Sequence, residues 1–465
     1  MKISKGRVSV VVGAVTVVAM SALAAEPKTV VEQLLEVMRA NGQLTAEQHD
    51  ALLDQARREQ EAAAAALVAA REAAEESGSS GDDGGVTVST SYKGLEVKTD
   101  DGRFEFGVGG RIQADFAIYD QDKQPLGDGI EMRRARLKAY GTLFEDWAYK
   151  LEANFETDGG ADLTDAWIRY DGLNPFYVQV GHQKVPFSQQ SMTSSNWQVF
   201  QERALLDAFI DNIQIGRRRL GLTMGTHGNN WNLAGGVFGE GVDDAGAADE
   251  SWGLAGRFVV APIVEDTRVL TFGGSAYYRD SRNDAPLRFA ARPESHLSGT
   301  KLVDTGDLLG VDEMVLYNAE TSAVWGPFHA QAEYTGAHVE RKGQSDPKFH
   351  GFYVQAGYFL TGESRNYDIE SAQYKRVMPK HSFGDRSDGG FGLGAWEVAV
   401  RYSWIDLDDE GVHGGRERDV TLGLNWWINP SLAIRFNYVY ANPDKNFDRQ
   451  IEHVNIFEGR AQVVF

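Results

Sequence analysis

From residue 103 onward, apolar and polar side chains take turns along the chain. Phe104, Phe106, Val108, Ile112, Ala114, Phe116 and Ile118 alternate with Glu105, Arg111, Gln113 and Asp115. Trp147, Tyr149, Leu151, Ala153 and Phe155 alternate with Lys150, Glu152, Asn154 and Glu156, and Val420, Leu422, Leu424, Trp426 and Ile428 follow the same rule. Successive strand side chains point to opposite faces, so each segment predicts a strand with one apolar and one polar face. The segments are about 9 to 11 residues long and carry aromatics near the ends of the apolar face. Aromatic pairs such as Trp426-Trp427 beside Asn429-Pro430 suit a face that meets lipid; a soluble sandwich would bury its apolar faces against each other. About sixteen segments begin near 103, 131, 147, 163, 176, 214, 231, 251, 268, 313, 328, 350, 393, 417, 431 and 452. They predict an all-β transmembrane barrel of about 16 antiparallel strands, with both ends on the periplasmic side.

Parity then places short periplasmic turns at Phe144 to Asp146, Asp171 to Pro175, Gly326-Pro327 and Asn429-Pro430, and long outer loops at 184 to 213 and 280 to 312. Residues 361 to 392 are long yet fall on the periplasmic side, so they are expected to fold into or across the pore mouth. The last strand, with Ala461, Val463 and Phe465 outward and Arg460 and Gln462 inward, ends in an aromatic like the closing strand of outer-membrane barrels.

Before residue 91 the pattern is different. Residues 1–24, with Lys2, Lys5 and Arg7 ahead of an apolar run and Ala22-Leu23-Ala24, predict a cleavable signal peptide. Residues 25–76 have a helical period, broken at Asn41-Gly42 and restarted by a Thr45/Gln48 capping box. Leu53, Gln60, Leu67 and Ala74 stand seven apart, a thin coiled-coil seam. A short periplasmic α-helical stalk and a solvated Ala/Glu-rich helix are both open readings. Residues 77–90, containing SGSSGDDGG, read as a flexible linker, and 91–465 as the barrel domain.

Charge changes the picture most at Glu131 to Gly141, EMRRARLKAYG. Ala135, Leu137 and Ala139 share one face and Arg134, Arg136 and Lys138 the other. An Arg or Lys on the lipid face near mid-bilayer costs roughly 2 to 4 kcal/mol, so the basic face must be a lumen lining. Inward Glu152, Glu156 or Asp115 could pair these cations across the wall. Arg217, Arg218 and Arg219, after Gly216, read as a solvated rim. The 465 residues carry no cysteine and a net charge of -21, which disfavours nucleic acid as a partner. The barrel alone carries roughly -16 and leaves open a general or weakly cation-preferring porin.

The stretches GLEVKTDDGRFEFGVGGRIQADF (94–116), MRRARLKAYG (132–141), SSNWQVFQERAL (194–205), GAWEVAVRYSWIDLDDE (394–410) and TLGLNWWINPSLAIRFNYVYANPDK (421–445) resemble the phosphate- and polyphosphate-selective porins of the Gram-negative outer membrane. The resemblance implies a homotrimer of sixteen-stranded barrels that pass small anions, surrounded by outer-membrane lipid and lipopolysaccharide. It places paired constriction arginines at Arg133 and Arg134. Arg133 can serve beside Arg134 if the strand bends or the lipid face has ended there. Ser194 and Ser195 fall in an inward-folded third loop, and Arg279, Arg282, Arg288 and Arg292 become ladder candidates in the fifth. It also assigns Lys375, Arg376 and Lys380 to a long periplasmic turn. The position matching the family's third-loop lysine is Ser191, one cation fewer than the resemblance implies.

No catalytic constellation stands out: the ten histidines are scattered without ligand spacing, and no phosphate-binding glycine loop opens a helix. Asp243-Asp244 and Asp408-Asp409-Glu410 read as solvated loop charge. No cofactor or metal is expected. The remaining rival is an adhesin or envelope tether whose stalk grips a periplasmic or peptidoglycan partner.

Overall fold

The computed structural model describes residues 85–121, 126–156, 160–211, 216–242, 249–282, 286–386, 390–444 and 453–465, with residues 39, 45, 48, 50, 51, 54 and 58 ahead of them. Residues 1–83 and 84–465 form separate units. In the first, Gln48 N donates to Thr45 Oγ1 (3.2 Å) and Thr45 N to Gln48 Oε1 (3.0 Å), the two hydrogen bonds of a capping box. The signal segment, the heptad seam and most of the expected helical stretch lie outside the described residues.

The second unit opens with a hairpin, β1 (Val86–Ser91) and β2 (Gly94–Thr99), which overlaps the expected 77–90 linker from Val86 onward. There follow β3 (Phe104–Gln121), β4 (Gly129–Leu143), β5 (Trp147–Asn154), β6 (Asp162–Leu173), β7 (Phe176–Lys184), β8 (Arg218–Gly228), β9 (Trp231–Phe238), β10 (Trp252–Glu265) and β11 (Arg268–Asp280). After the two-residue strands β12 (Ala290–Ala291) and β13 (Val303–Asp304) come β14 (Val311–Trp325), β15 (Phe328–Arg341) and β16 (Lys348–Phe359). After β17 (Tyr367–Asp368) and β18 (Gln373–Tyr374) come β19 (Ala395–Asp409), β20 (Val412–Trp427), β21 (Leu432–Pro443) and β22 (Val454–Val464). Apart from the hairpin, the eighteen-stranded sheet is a sixteen-stranded antiparallel barrel. It closes where β22 pairs with β3, from Val454↔Gln121 to Val464↔Arg111. β2 continues beside β3 below that seam, Leu95↔Val108 to Lys98↔Glu105.

Alternation along the wall is as the sequence implies. On β3, Ile112 and Ile118 are 43% and 52% exposed while Gln113 between them is fully buried. Arg435 and Arg460 are buried in the lumen. Fourteen strands begin within two residues of their predicted positions. β8 begins at Arg218 rather than 214. β20 begins at Val412 rather than 417, because Glu410-Gly411 form a tight turn with positive φ and the Gly-rich VHGGRER that follows hides the alternation.

A barrel in lipid has its apolar core inside only where something fills it. Here three segments do. Residues 185–217 bring Leu205, Leu206 and Phe209 of the turn of 3-10 helix Leu205–Phe209 against Phe289 and Leu308 of residues 281–310 and against the inner wall at Leu316, Val339 and Phe349. Phe289 stands 5.5 Å from Phe209 and 5.6 Å from Phe349, centroid to centroid. Residues 360–394 enter from the short-turn side, as expected: Asn232 Nδ2 donates to Glu370 O (2.6 Å) and Arg257 Nη2 to Ala372 O (2.9 Å), both from inner-wall positions.

Candidate functional site

The basic stretch sits on β4, and its adjacency problem is solved by a β-bulge. Gln113 of β3 pairs with Arg134 and Ala114 with Met132, leaving Arg133 as the extra residue. Both arginines therefore reach the lumen. Arg133 Nε and Nη2 donate to Glu202 (2.9 and 3.1 Å), and Arg134 Nη1 donates to Gln113 Oε1 (2.8 Å) with Nη2 3.8 Å from Glu202. Burial alone would raise the Glu202 carboxyl, but the guanidinium groups of Arg133, Arg134 and Arg460 hold it well below the usual carboxylate range. Two residues on along β4, Arg136 Nη1 donates to Glu152 Oε1 (3.2 Å), and Lys138 Nζ lies 4.4 Å from the centre of the Tyr140 ring.

The start of the third loop is held by a carboxylate on β15. Glu333 accepts from Ser188 Oγ (2.7 Å) and from the backbone N of Gln189 (3.1 Å) and Gln190 (2.8 Å), at the start of the one-turn helix Gln189–Met192. At the other end Lys184 Nζ donates to the carbonyls of Ser191 (2.8 Å) and Met192 (2.7 Å), and Arg203 to those of Gln190 (3.0 Å) and Thr193 (3.2 Å). An ammonium thus stands against Ser191 after all, supplied by β7 instead of by the loop. Ser194 and Ser195 face the wall as acceptors: Arg111 Nη1 donates to Ser195 Oγ (3.1 Å) and Asn196 Oδ1 (3.0 Å), with Ser194 Oγ at 3.5 Å.

Among the described residues, two neighbouring cavities lie in the interior. The larger, about 630 Å³, is floored by the hairpin turn at Tyr92-Lys93 and by Lys375 and Arg376 of the long turn; fourteen Arg or Lys residues line it against three carboxylates, Glu152, Asp165 and Glu370. Glu152 is shared by Arg111 (2.7 Å), Arg136 and Lys150 (3.1 Å), and Asp165 by Lys150 (2.6 Å) and Arg218 (2.7 Å). Arg257, Arg169, Arg217 and Lys375 pair with Glu320 (2.6 Å), Asp171 (2.8 Å), Asp207 (2.6 Å) and Asp368 (3.1 Å) behind the lining, so pairing reduces the cationic excess at the cavity surface without cancelling it. The smaller, about 80 Å³, lies toward the long loops, with six Arg or Lys against Glu202, Asp207, Asp211 and Glu294. Arg134, Arg203 and Arg217 line both and so stand between them. Arg376 joins the three lower elements, its guanidinium 4.9 Å from the Tyr92 ring and 4.7 Å from the ring of Trp197 in the third loop.

The structure thus gathers Arg133, Arg134, Arg136, Lys138, Ser194 and Ser195, and from the fifth loop Arg292, around these cavities. It places the other ladder candidates elsewhere. Arg279 is buried against Glu240 (2.7 Å), Arg282 is more than half exposed beside Asp280 (3.0 Å), and Arg288 pairs with Asp304. The rim reading of Arg217 to Arg219 is corrected. Arg217 and Arg218 are lumen residues bound to Asp207 (2.6 Å) and Asp165, and Arg219 is buried beside Glu240. Arg111, Lys150, Lys184 and Arg203 line the larger cavity without having been singled out; inward parity on β3 and β5 was the available signal for the first two, whereas Lys184 shares the parity of the exposed Phe176 and Val180 on β7.

A closed sixteen-stranded barrel, apolar outside, with loops folded into a cation-lined interior, defines an outer-membrane porin. The chain belongs to the phosphate-selective porin O and P family, whose model matches residues 106–465. Porin O of Pseudomonas aeruginosa is 31% identical over 389 residues, covering 76% of this chain and 86% of that protein. An uncharacterized protein of Caulobacter vibrioides is 34% identical over 395 residues, covering 81% of this chain and 77% of that protein. Among solved structures, an anion-selective porin from Comamonas acidovorans is similar over 78% of this chain and 100% of its own, with TM-score 0.54 at 12% identity. OmpT of Vibrio cholerae is similar over 78% of this chain and 98% of its own, with TM-score 0.50 at 10% identity. At such identities the likeness is one of fold.

Proposed function

We propose that this porin passes small anions by passive diffusion, with phosphate or polyphosphate as its preferred class, through a constriction at Arg134, Arg203 and Arg217. The observation that carries the reading is the lining of the larger cavity, fourteen cations against three carboxylates in a chain whose net charge is -21. The field that an ion meets is set by nearby charges in a passage of low effective dielectric, not by the sum over the chain. Arginine suits oxyanions because its planar fork offers two parallel hydrogen bonds and stays charged at any relevant pH. This local excess opposes the cation-preferring alternative that net acidity suggested.

The homotrimer and the lipopolysaccharide surroundings implied by the family resemblance belong to the same proposal. Residues 25–76 are proposed to reach a periplasmic or peptidoglycan partner. Titration of phosphate into chloride solution on one side of a bilayer holding the protein tests the substrate class. Chloride current should fall at phosphate concentrations well below that of chloride; a current indifferent to phosphate would leave an unselective anion pore.

A further inference from the structure

Glu202 holds, within this chain, the place that an oxyanion would take at Arg133. Its two oxygens accept from Arg133 Nε (2.9 Å) and Nη2 (3.1 Å), the parallel fork that a guanidinium also offers to phosphate. The same carboxylate is 3.8 Å from Arg134 Nη2 and accepts from Arg460 Nη2 (2.8 Å). Arg460 keeps a bidentate partner of its own in Asp115 (2.7 and 2.6 Å), whereas Arg133 uses its fork on Glu202. The main chain on either side is tied down. Gln201 O accepts from Arg460 Nη1 (2.7 Å), Glu202 O from Arg401 Nη1 (3.1 Å), and Arg203 Nε donates to Gln190 O (3.0 Å). The Glu202 side chain itself lines the smaller cavity, beside Arg134 at the junction of the two.

We infer that Glu202 is an internal counter-anion that sets specificity: a permeating oxyanion displaces its carboxylate from Arg133 and Arg134, and the carboxylate returns as the anion moves on. This rests on the anion pathway proposed above. Guanidinium groups left bare in a buried site are costly, so an empty site without Glu202 would seize an anion and release it slowly. Conduction requires binding favourable enough to enter and weak enough to leave. A carboxylate that neutralises the site between passages meets both needs. It also discriminates, because phosphate can replace a two-bond fork and chloride, a single point of charge, cannot.

The test is the half-blocking phosphate concentration for chloride current in planar bilayers, for the full-length protein and for Glu202→Gln and Glu202→Asp. Glu202→Gln keeps the shape and removes the competing charge, and should lower that concentration by about tenfold and lengthen each blocked interval. Glu202→Asp, which draws the charge back by one methylene, should shift it the same way by less. If Glu202 only props Arg133 in place, block in the Gln variant weakens or stays unchanged, and either result overturns the inference. Should the Gln variant fail to give a heat-modifiable barrel, the direction of the Asp shift decides. Loss of chloride preference in all three proteins contradicts the anion pathway itself; chloride preference with unshifted block overturns only the role given to Glu202.

Discussion

Arg134→Ala is expected to lower the chloride-to-potassium permeability ratio by about tenfold, since one full charge within 4 Å of a passing ion contributes up to about 4 kcal/mol at the effective dielectric of such a site. Arg134 lines both cavities, its hydrogen-bond partner Gln113 is neutral, and its carboxylate neighbour Glu202 stands 3.8 Å away and is shared with Arg133 and Arg460, so its charge is only weakly offset. Arg218→Ala should also lower the ratio, less steeply, because Asp165 at 2.7 Å already offsets that charge. Arg288→Ala, which removes a half-exposed cation paired with Asp304 outside both cavities, should leave the ratio unchanged. Reversal potentials of the three variants check this. Equal effects of Arg134→Ala and Arg288→Ala would remove the constriction from β4.

Glu333→Ala is expected to release the third loop. The substitution strips the acceptor from Ser188 Oγ and from two backbone N–H groups, and leaves Tyr353 Oη (2.5 Å) without the carboxylate it donates to. Each buried group left without a partner costs about 1 to 3 kcal/mol, enough together to unseat a one-turn helix that has little stability of its own. With the loop free, single-channel conductance should rise several-fold and anion preference should fall. Glu333→Gln, which retains an acceptor oxygen, should lie between. Single-channel recordings decide: unchanged conductance in Glu333→Ala would mean that the apolar seat of Leu205, Leu206 and Phe209, with the wall guanidinium groups of Arg401, Arg435 and Arg460 on the loop carbonyls, holds the loop without it.

The wall was legible because lipid leaves a strand no choice. One face must be apolar along its whole span, so period two survives on β3, β5, β20 and β21, and inward parity alone foretells Arg435, Asn437 and Arg460. The same logic failed where lipid makes no demand. Val86–Ser91 pairs with β2 beside β3, and its Val/Thr/Ser alternation was too short to separate from a linker. The bulge at Arg133 follows from a register that no single strand reveals.

The interior was less legible because lumen charges choose partners across distances that sequence does not encode. Glu294 of the fifth loop takes Arg401, Ser403 and Thr421 on β19 and β20, and Arg279 takes Glu240, just past the end of β9, across the intervening β10. A cation count along the fifth loop therefore overstates what faces the passage. Conversely, Lys184 could not be assigned to the third loop from spacing, since it reaches Ser191 from the strand before it.

The measurement that bears most directly on the anion pathway is the reversal potential of the purified protein in a planar bilayer under a potassium chloride gradient. A potential close to the chloride equilibrium value is expected, because fourteen cations against three carboxylates line the larger cavity. A potential on the potassium side would mean that the net charge of -21, and not the lining, governs which ions pass.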